Sequence, residues 1–300
     1  MSAIPQHAQE NDVIFEHYLD QLLHRGYCIV ADIVPASVVT AISQDLDDRF
    51  VRTPFCEGDF YGRLTKRFGS LLLRSSVAAT LIQHELILAI AQAVLGPWCD
   101  TIQLNLTQAI EIHPGAVPQF PHRDQNMWRG EIGRVEYLVN VIWPLTAFRR
   151  ENGATLIWPD SHGPNALMSE CPTIPVVAEC DPGSAIIFLG STLHGAGGNV
   201  TASVRRGIIT SYCLGWLKPY ENQWLVYPPE IARRFDPALA ALVGYRQHRP
   251  NLGNYEGRCP SILLGDGLAP YLNAIDSLRP DQTAVLSKYV VGQAEALRSH

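Results

Sequence analysis

The sequence predicts a mainly β protein with flanking helices, in which antiparallel strands form a closed or two-sheet core. Three observations lead to this fold class. Short apolar segments with strand patterning recur between residues 101 and 214. Turn sequences such as Asp181-Pro-Gly and Gly195-Ala-Gly-Gly separate these segments. The first hundred residues instead carry apolar residues at helical spacing, so helices precede the β core.

Three helices are predicted before the β core. The first begins at a cap formed by Asn11 or Asp12 and ends at Gly26, because glycine commonly follows the last turn of a helix. The second follows Pro35, since proline suits the start of a helix. The third spans about residues 75–96 and stops at a Gly-Pro sequence.

The β core is predicted over about residues 100–217. Residues 101–112 alternate apolar and polar side chains at their start, which indicates a strand with one buried face. The remaining predicted strands are short apolar runs, at 135–143, 173–178, 184–189 and 207–214. We expect a single domain over 1–300, with its helical part at about 10–98 and a C-terminal arm at 218–300 that ends in a helix.

Composition and charge argue against several classes of protein. The chain carries 23 basic and 29 acidic side chains, a net charge of −6, and no run of Lys and Arg, so we expect no nucleic-acid partner. No apolar stretch is long enough to cross a bilayer, and the first residues lack the pattern of a secretory signal. The 7 cysteines are scattered without a C-x-x-C pair, which indicates a reducing, cytoplasmic environment.

Three residues carry the strongest chemical signal. His122 and Asp124 form an H-x-D pair that we expect just after a strand, where alternate side chains share one face. His194 lies in a Gly-rich turn after the apolar run at 184–189 and is the best third ligand. Two imidazoles and one carboxylate can bind one divalent ion and leave positions free for a co-substrate and dioxygen. Spacing alone leaves open a zinc ion in a hydrolase.

Two arginines stand at the start of the last predicted strand. An iron enzyme that uses 2-oxoglutarate needs a cation for the distal carboxylate, and arginine suits it because the guanidinium is planar and permanently charged. We choose Arg205 over Arg206 because period-two alternation places Arg205 on the face of Gly207, whose missing side chain leaves room for the ligand. Surface ion pairs are the alternative role for both arginines.

The order of motifs resembles the phytanoyl-CoA dioxygenase-like (PhyH) family of Fe(II)- and 2-oxoglutarate-dependent oxygenases. The resemblance covers about residues 10–220, and its segments are Thr65-Lys-Arg-Phe-Gly, Gln119-Phe-Pro-His-Arg-Asp, Trp143-Pro-Leu-Thr, Glu151-Asn-Gly-Ala-Thr, Pro159-Asp-Ser-His and His194-Gly-Ala-Gly-Gly. It is closest to the subgroup that tailors natural products. One departure is Asp160, where the family usually has glycine; we expect it to reshape the nearby loop and leave the metal site intact.

The resemblance implies a double-stranded β-helix core, also called a jelly-roll or cupin-like core, and a set of site residues. The implied iron ligands are His122, Asp124 and His194. The implied 2-oxoglutarate-binding residues are Gln119, Thr155, Arg205 and Arg67. Halogenating relatives lack the carboxylate ligand, so the presence of Asp124 favours oxygen insertion or hydrogen abstraction.

The implied reaction is the oxidation of a hydrophobic small molecule with Fe(II), 2-oxoglutarate and O2, by hydroxylation, desaturation or rearrangement. A terpenoid-type or other secondary metabolite is the expected substrate. Apolar and aromatic side chains near the ligand residues suit such a molecule, and they are Met127, Trp128, Trp143, Trp158 and Trp216. We expect more than half of them to pack in the core instead. An acyl-CoA hydroxylase, a zinc-dependent hydrolase and a non-catalytic β-barrel binding module stay open. The sequence also leaves open whether the C-terminal arm covers the pocket or joins two copies into a homodimer.

Overall fold

The structure, a computed structural model, describes residues 6–168 and 174–298. The chain divides into two compact units, with the boundary between Glu221 and Asn222. The first unit contains the helical N-terminal part and the β core. The single domain over 1–300 stays a prediction.

Four α-helices precede the β core: α1 (Gln6–Arg25), α2 (Ala36–Arg52), α3 (Ala78–Ile82) and α4 (Glu85–Leu95). The predicted start of α1 at Asn11 or Asp12 is wrong, because the preceding Gln-His-Ala-Gln-Glu segment consists largely of good helix formers and extends the helix. The helix ends before Gly26, whose φ of 80° lies in the left-handed region. The continuous third helix is also wrong, because His84 is extended (ψ 122°) and separates α3 from α4.

The strands of the described residues form two antiparallel sheets. The strands are β1 (Tyr27–Val30), β2 (Thr65–Gly69), β3 (Ile102–Ile112), β4 (Leu138–Pro144), β5 (Thr155–Ile157), β6 (Val176–Val177), β7 (Ala185–Leu189), β8 (His194–Ala196) and β9 (Arg205–Leu214). The larger sheet has the order β1-β7-β4-β9-β3-β2, and the smaller has β6-β5-β8. Every strand pair is antiparallel, as predicted.

Most predicted strands occur with changed bounds, and β9 begins two residues earlier than predicted, at Arg205. The segment 135–143 becomes a strand only from Leu138, and 173–178 contains only the two residues of β6, with Thr173 outside the described residues. The sequence did not predict β1, β2, β5 or β8. These strands are three to five residues long, which is too short for a clear alternation of apolar and polar side chains.

The hydrophobic core lies between the two sheets. Its buried side chains come from both sheets and their connecting loops, and they are Tyr27, Ile142, Phe148, Ala154, Ile157, Ala178, Ile186 and Phe188. Strands β4 and β7 are buried at every position. Helix α4 packs against β4, so that strand needs no polar face. Two core residues, Ile142 and Phe188, also line a cavity, so this core adjoins the site described below.

The second unit contains the short helices α5 (Gln223–Val226), α6 (Pro229–Ala232) and α7 (Pro237–Leu242), followed by α8 (Pro280–Arg298). Asp236 caps α7, since its carboxylate accepts hydrogen bonds from the backbone of Ala238 and Leu239 at 2.9 and 3.0 Å. Helix α8 agrees with the predicted C-terminal helix. Among the described residues, no helix combines the length and apolar character that a membrane span requires.

Candidate metal centre

Within residues 6–168 and 174–298, one cluster of His, Cys, Asp and Glu could hold a metal ion, and it consists of His122, Asp124 and His194. Its ligand atoms all lie within 4.8 Å of one another. Nε2 of His122 is 3.4 Å from Oδ1 of Asp124, and Nε2 of His194 is 3.6 Å from Oδ2 of Asp124. The structure therefore brings together the three side chains that the sequence singled out.

The local backbone that positions this cluster differs from the expectation. His194 is the first residue of β8, and Asp124 begins a 3-10 helix that ends at Met127. The H-x-D pair does not directly follow a strand, so that prediction is wrong. A loop at 113–121 separates it from β3, and prolines in this loop cannot donate to a strand ladder. His122 is aligned instead by an isolated β-bridge to His194.

Both histidines turn Nε2 toward the cluster and have Nδ1 next to a backbone carbonyl. Nδ1 of His122 lies 2.9 Å from the carbonyl oxygen of Phe120, and Nδ1 of His194 lies 3.1 Å from that of Thr192. A carbonyl oxygen only accepts hydrogen bonds, so Nδ1 is the protonated nitrogen in the neutral ring. Nε2 then carries a lone pair, which is the arrangement of a metal ligand whose other nitrogen is held by a hydrogen bond.

The charge states of the cluster also suit a divalent cation. Burial lowers the pKa of His194 and favours its neutral form. Burial alone would raise the pKa of Asp124, but the nearby His194 and His122 outweigh it, and the pKa of this carboxyl lies below its ordinary value. The cluster therefore offers an ionised carboxylate beside a neutral imidazole.

A cavity of about 430 Å³ opens beside the cluster. Its walls are largely apolar, and the apolar lining residues are Phe60, Leu106, Ile110, Ile112, Met127, Ile142, Phe188, Ala196 and Ile209. Of the aromatic and apolar residues expected near the ligands, Met127 lines this cavity. The four tryptophans, Trp128, Trp143, Trp158 and Trp216, do not line it, in keeping with the expectation that more than half of this set lies away from the pocket. Trp143 faces the core instead, where its indole donates to Oγ1 of Thr210 at 3.0 Å.

Arg205 lines this cavity as a buried cation. Its side chain donates to the carbonyl oxygen of Gly153 at 3.0 Å, and its guanidinium carbon lies 3.8 Å from the ring centroid of Phe148. No carboxylate of the described chain lies within 4.0 Å of it, and its Nε is buried without a hydrogen-bond partner. Burial, followed by the charge of Arg67, lowers the pKa of Arg205 to about 9. The cavity thus contains a positive charge that lacks a counter-ion.

The neighbouring Arg206 faces away from the cavity. It forms ion pairs with Glu111 at 2.6 Å and with Asp47 at 2.5 Å. Alternation along β9 therefore separates the two arginines as expected. The role expected for Gly207 is wrong, because a Cβ atom at this position would lie 2.8 Å from Cζ of Phe148. The missing side chain makes room for the phenylalanine ring that lies against Arg205, rather than for a ligand.

The remaining predicted site residues line the same cavity. Thr155 is buried at the start of β5. Gln119 donates to the carbonyl oxygen of Phe60 at 3.2 Å. Arg67 lies on β2 and donates to the side chain of Gln108 at 3.1 Å, while its Nε is buried without a partner. Burial lowers the pKa of Arg67 as well. All seven residues named from the sequence therefore surround one space.

Sequence reasoning missed Phe60, Tyr61 and Asn140 at this site. Tyr220 belongs to the predicted C-terminal arm at 218–300, for which covering the pocket was one alternative, and it lines the cavity. The phenol oxygens of Tyr61 and Tyr220 are 2.6 Å apart. Phe60 packs its ring edge-on against His122, with centroids 4.9 Å apart. These residues lie in loops, where no periodic pattern predicts a position. Asn140, which donates to Asp124 at 3.1 Å, carried a usable signal because it is a polar residue within an otherwise apolar strand.

The loop at Asp160 keeps the conformation that the family's usual glycine would allow. Asp160 has a φ of 59°, in the left-handed region. Aspartate tolerates this region better than most residues that carry a Cβ atom. The φ of Asp160 is therefore one that both aspartate and the family's usual glycine can adopt.

Comparisons with known proteins agree with this fold and site. A sequence profile of the family "Phytanoyl-CoA dioxygenase (PhyH)" matches residues 23–207. Dioxygenase cdmD of Talaromyces verruculosus is 30% identical over 216 residues, which cover 68% of this chain and 68% of the relative. Dioxygenase FrzG of Cladobotryum sp is 34% identical over 221 residues, which cover 68% of this chain and 71% of the relative.

Solved structures share the fold at low sequence identity. The non-haem α-ketoglutarate-dependent epimerase SnoN from nogalamycin biosynthesis has a TM-score of 0.59 at 18% identity, covering 70% of this chain and 87% of that chain. HygX from Streptomyces hygroscopicus, solved with nickel, 2-oxoglutarate and hygromycin B, has a TM-score of 0.53 at 13% identity, covering 68% of this chain and 89% of that chain.

The fold, the cluster and these relatives define a non-haem iron dioxygenase that uses Fe(II), 2-oxoglutarate and O2. The chain belongs to the phytanoyl-CoA dioxygenase (PhyH) family. The jelly-roll core implied by the sequence is confirmed. Membership of a dioxygenase family favours an oxidoreductase over the zinc hydrolase and the non-catalytic binding module.

Proposed function

We propose that this dioxygenase hydroxylates, desaturates or rearranges a hydrophobic small molecule, and that His122, Asp124 and His194 hold its Fe(II). The observation that carries the proposal is the convergence of these three side chains beside a cavity that also contains the unpaired cation of Arg205. Two imidazole nitrogens and one carboxylate suit Fe(II) and leave further coordination positions open. When bound, iron and 2-oxoglutarate supply the oxidising chemistry from O2, with release of succinate and carbon dioxide.

The residues proposed to bind 2-oxoglutarate are Arg205, Thr155, Gln119 and Arg67. Arg205 would hold the distal carboxylate, since it is buried, has a free Nε and lacks an acidic partner among the described residues. Thr155 offers a hydroxyl group in the same cavity. A dicarboxylate would supply the negative charge that the two arginines lack, and a planar guanidinium can bind a carboxylate with two parallel hydrogen bonds.

Other side chains would exclude water and orient the substrate. Phe188 packs against the ring of His194, with centroids 4.5 Å apart, and Phe60 covers His122. These aromatic rings shield one face of each histidine ligand from water. In the phenol pair of Tyr61 and Tyr220, one hydroxyl donates to the other, which leaves one hydroxyl proton available to a polar atom of the substrate.

The proposed substrate is a terpenoid-type or other secondary metabolite. The apolar lining supports a hydrophobic molecule, and the cavity volume falls in the range of small-molecule sites. The shared fold with enzymes of nogalamycin biosynthesis supports a natural product. No specific observation favours the acyl-CoA alternative. We also propose a cytoplasmic location, supported by the scattered cysteines, and homodimer formation stays a prediction.

Succinate release tests this function without knowledge of the substrate. The wild-type protein with Fe(II), 2-oxoglutarate and O2 is expected to form succinate slowly, and Zn(II) in place of Fe(II) is expected to give none. Asp124→Ala removes the carboxylate ligand and is expected to abolish the product. Asp181→Ala, which removes an exposed carboxylate paired with Arg149, is the control and should keep wild-type succinate release. Equal release by wild type and Asp124→Ala would contradict the proposal.

A further inference from the structure

Asn140 lies in the centre of the larger sheet, on a strand that has no other amide side chain. Strand β4 reads Leu-Val-Asn-Val-Ile-Trp-Pro and is buried at every position. Asn140 is only 1% exposed. In the register of the sheet it stands between Phe188 on β7 and Ser211 on β9. A buried amide in this position costs free energy unless its polar atoms are hydrogen-bonded.

The amide nitrogen of Asn140 donates to Oδ2 of Asp124 at 3.1 Å. This bond joins a regular strand to the one carboxylate of the candidate metal centre. The other contacts of this carboxylate come from His122 near Oδ1, at 3.4 Å, and from His194 near Oδ2, at 3.6 Å. Asn140 is therefore the partner of Asp124 that is not itself a candidate ligand.

The bond restricts how the carboxylate can turn. A carboxylate rotates about its bond to Cβ with a broad, roughly two-fold preference, so one lateral hydrogen bond can select its plane. Asp124 sits at the start of a 3-10 helix after a proline-containing loop, and this loop supplies less support than a strand would. The hydrogen bond from Asn140 connects the Asp124 carboxylate to the regular backbone of β4, which fixes the orientation of the carboxylate.

We propose that Asn140 is the positioning residue of Asp124: its amide selects the plane of the carboxylate and so the orientation in which Asp124 would bind the metal. The inference rests on the proposed function, because it takes Asp124 as a metal ligand. Its consequence is a carboxylate that is oriented before the metal binds. Hydrogen-bond partners of metal ligands typically change metal affinity about 10- to 100-fold when they are removed.

Titration of the metal-free protein with Co(II) tests this inference without turnover. Co(II) binds the same nitrogen and oxygen donors as Fe(II), and its visible d–d absorption reports coordination number. Asn140→Ala and Asn140→Leu both remove the hydrogen-bond donor to Asp124. The leucine variant also fills the buried space with an apolar side chain of similar size. We expect Kd for Co(II) to rise about 10- to 100-fold in both variants, with an altered d–d spectrum.

Gln247→Ala is the matched control. Gln247 is a buried amide of the second unit that donates to the carbonyl oxygen of Pro250 at 3.0 Å and does not line the cavity. This variant should keep the wild-type Co(II) affinity and spectrum even if its unfolding midpoint falls. Asn140→Leu is expected to keep a cooperative unfolding transition without metal, so that weaker Co(II) binding does not reflect an unfolded protein.

The outcomes separate this inference from the proposed function. If Asp124→Ala abolishes Co(II) binding while both Asn140 variants bind Co(II) with the wild-type Kd and spectrum, the positioning role of Asn140 is wrong. If Asp124→Ala binds Co(II) as well as the wild type does, the proposed metal centre itself is wrong.

Discussion

The backbones of His122 and His194 are hydrogen-bonded to each other in both directions. The amide of His122 donates to the carbonyl oxygen of His194 at 2.9 Å, and the amide of His194 donates to that of His122 at 3.0 Å. Their rings consequently lie with centroids 4.5 Å apart. Two residues far apart along the chain are thus aligned by the main chain, so their spacing does not depend on a bound ion.

Removal of metal is therefore expected to leave the fold intact. The metal-free protein should unfold cooperatively, because the pairing of His122 and His194 and the surrounding core persist without a ligand. Metal at a thousandfold excess over its Kd should stabilise the protein by about 4 kcal/mol. Urea unfolding with and without Co(II) measures this difference. A metal-free protein without a cooperative transition would contradict the preformed site.

We expect substitution of Arg205 to weaken 2-oxoglutarate binding and substitution of Arg206 to lower stability. Arg205→Gln removes the buried cation and should weaken 2-oxoglutarate binding about 30-fold or more, since losing one partner of a buried charge pair costs about 2–5 kcal/mol. Arg206→Gln is the control, because it breaks the ion pairs with Glu111 and Asp47 and should lower the free energy of unfolding while Kd for 2-oxoglutarate stays unchanged. If a 2-oxoglutarate titration shows weaker binding in Arg206→Gln and unchanged binding in Arg205→Gln, then Arg206 binds the co-substrate.

Gly207→Ala tests the contact between Phe148 and Arg205. The added Cβ atom would lie 2.8 Å from Cζ of Phe148 and 3.3 Å from the backbone oxygen of Trp143, so the ring must move. We expect the free energy of unfolding to fall by about 1–3 kcal/mol, as for other overpacked cores. Kd for 2-oxoglutarate should also rise, because the displaced ring no longer supports the guanidinium. Unchanged affinity in a destabilised variant would show that Phe148 does not position Arg205.

Glu221 anchors the segment that carries Tyr220 into the cavity wall. Its carboxylate accepts hydrogen bonds from the backbone amides of Ser70 and Thr107, at 2.6 and 3.2 Å, and from both hydroxyl groups. Glu221→Gln turns one acceptor oxygen into a donor that faces other donors. We expect a loss of about 1–3 kcal/mol in urea unfolding.

Glu131→Gln is the matched control for this anchor. It removes an exposed carboxylate paired with Arg134, and such pairs contribute about 0–1 kcal/mol. If Glu221→Gln is as stable as Glu131→Gln, then the four hydrogen bonds of Glu221 do not anchor this segment.

Regular strands made part of the site predictable from sequence. Arg205 begins the ten-residue strand β9, where alternation holds, and so its separation from Arg206 could be inferred. The same rule failed for the H-x-D pair, because His122 lies after a proline-containing loop and is aligned by a distant residue. The prediction that Gly207 leaves room for the ligand was wrong for a related reason. The ring that fills its space belongs to Phe148, whose position depends on tertiary packing.

Loop residues carried no comparable signal. The contact between Tyr61 and Tyr220 depends on tertiary hydrogen bonds, among them those of Glu221 with Ser70 and of the Tyr220 amide with Asn105, and no local pattern encodes it. Asn140 could have been noticed as a buried polar residue in an apolar run. Its partner, however, is Asp124 on another element, so the sequence could indicate that Asn140 needs a hydrogen bond without indicating to which residue.

The central claim is that His122, Asp124 and His194 bind one Fe(II) together with 2-oxoglutarate. The most direct test is the visible absorption of the anaerobic protein after addition of Fe(II) and 2-oxoglutarate. We predict a metal-to-ligand charge-transfer band in the wild type that disappears in Asp124→Ala. A colourless wild-type protein, or a band that persists unchanged in Asp124→Ala, would contradict the claim.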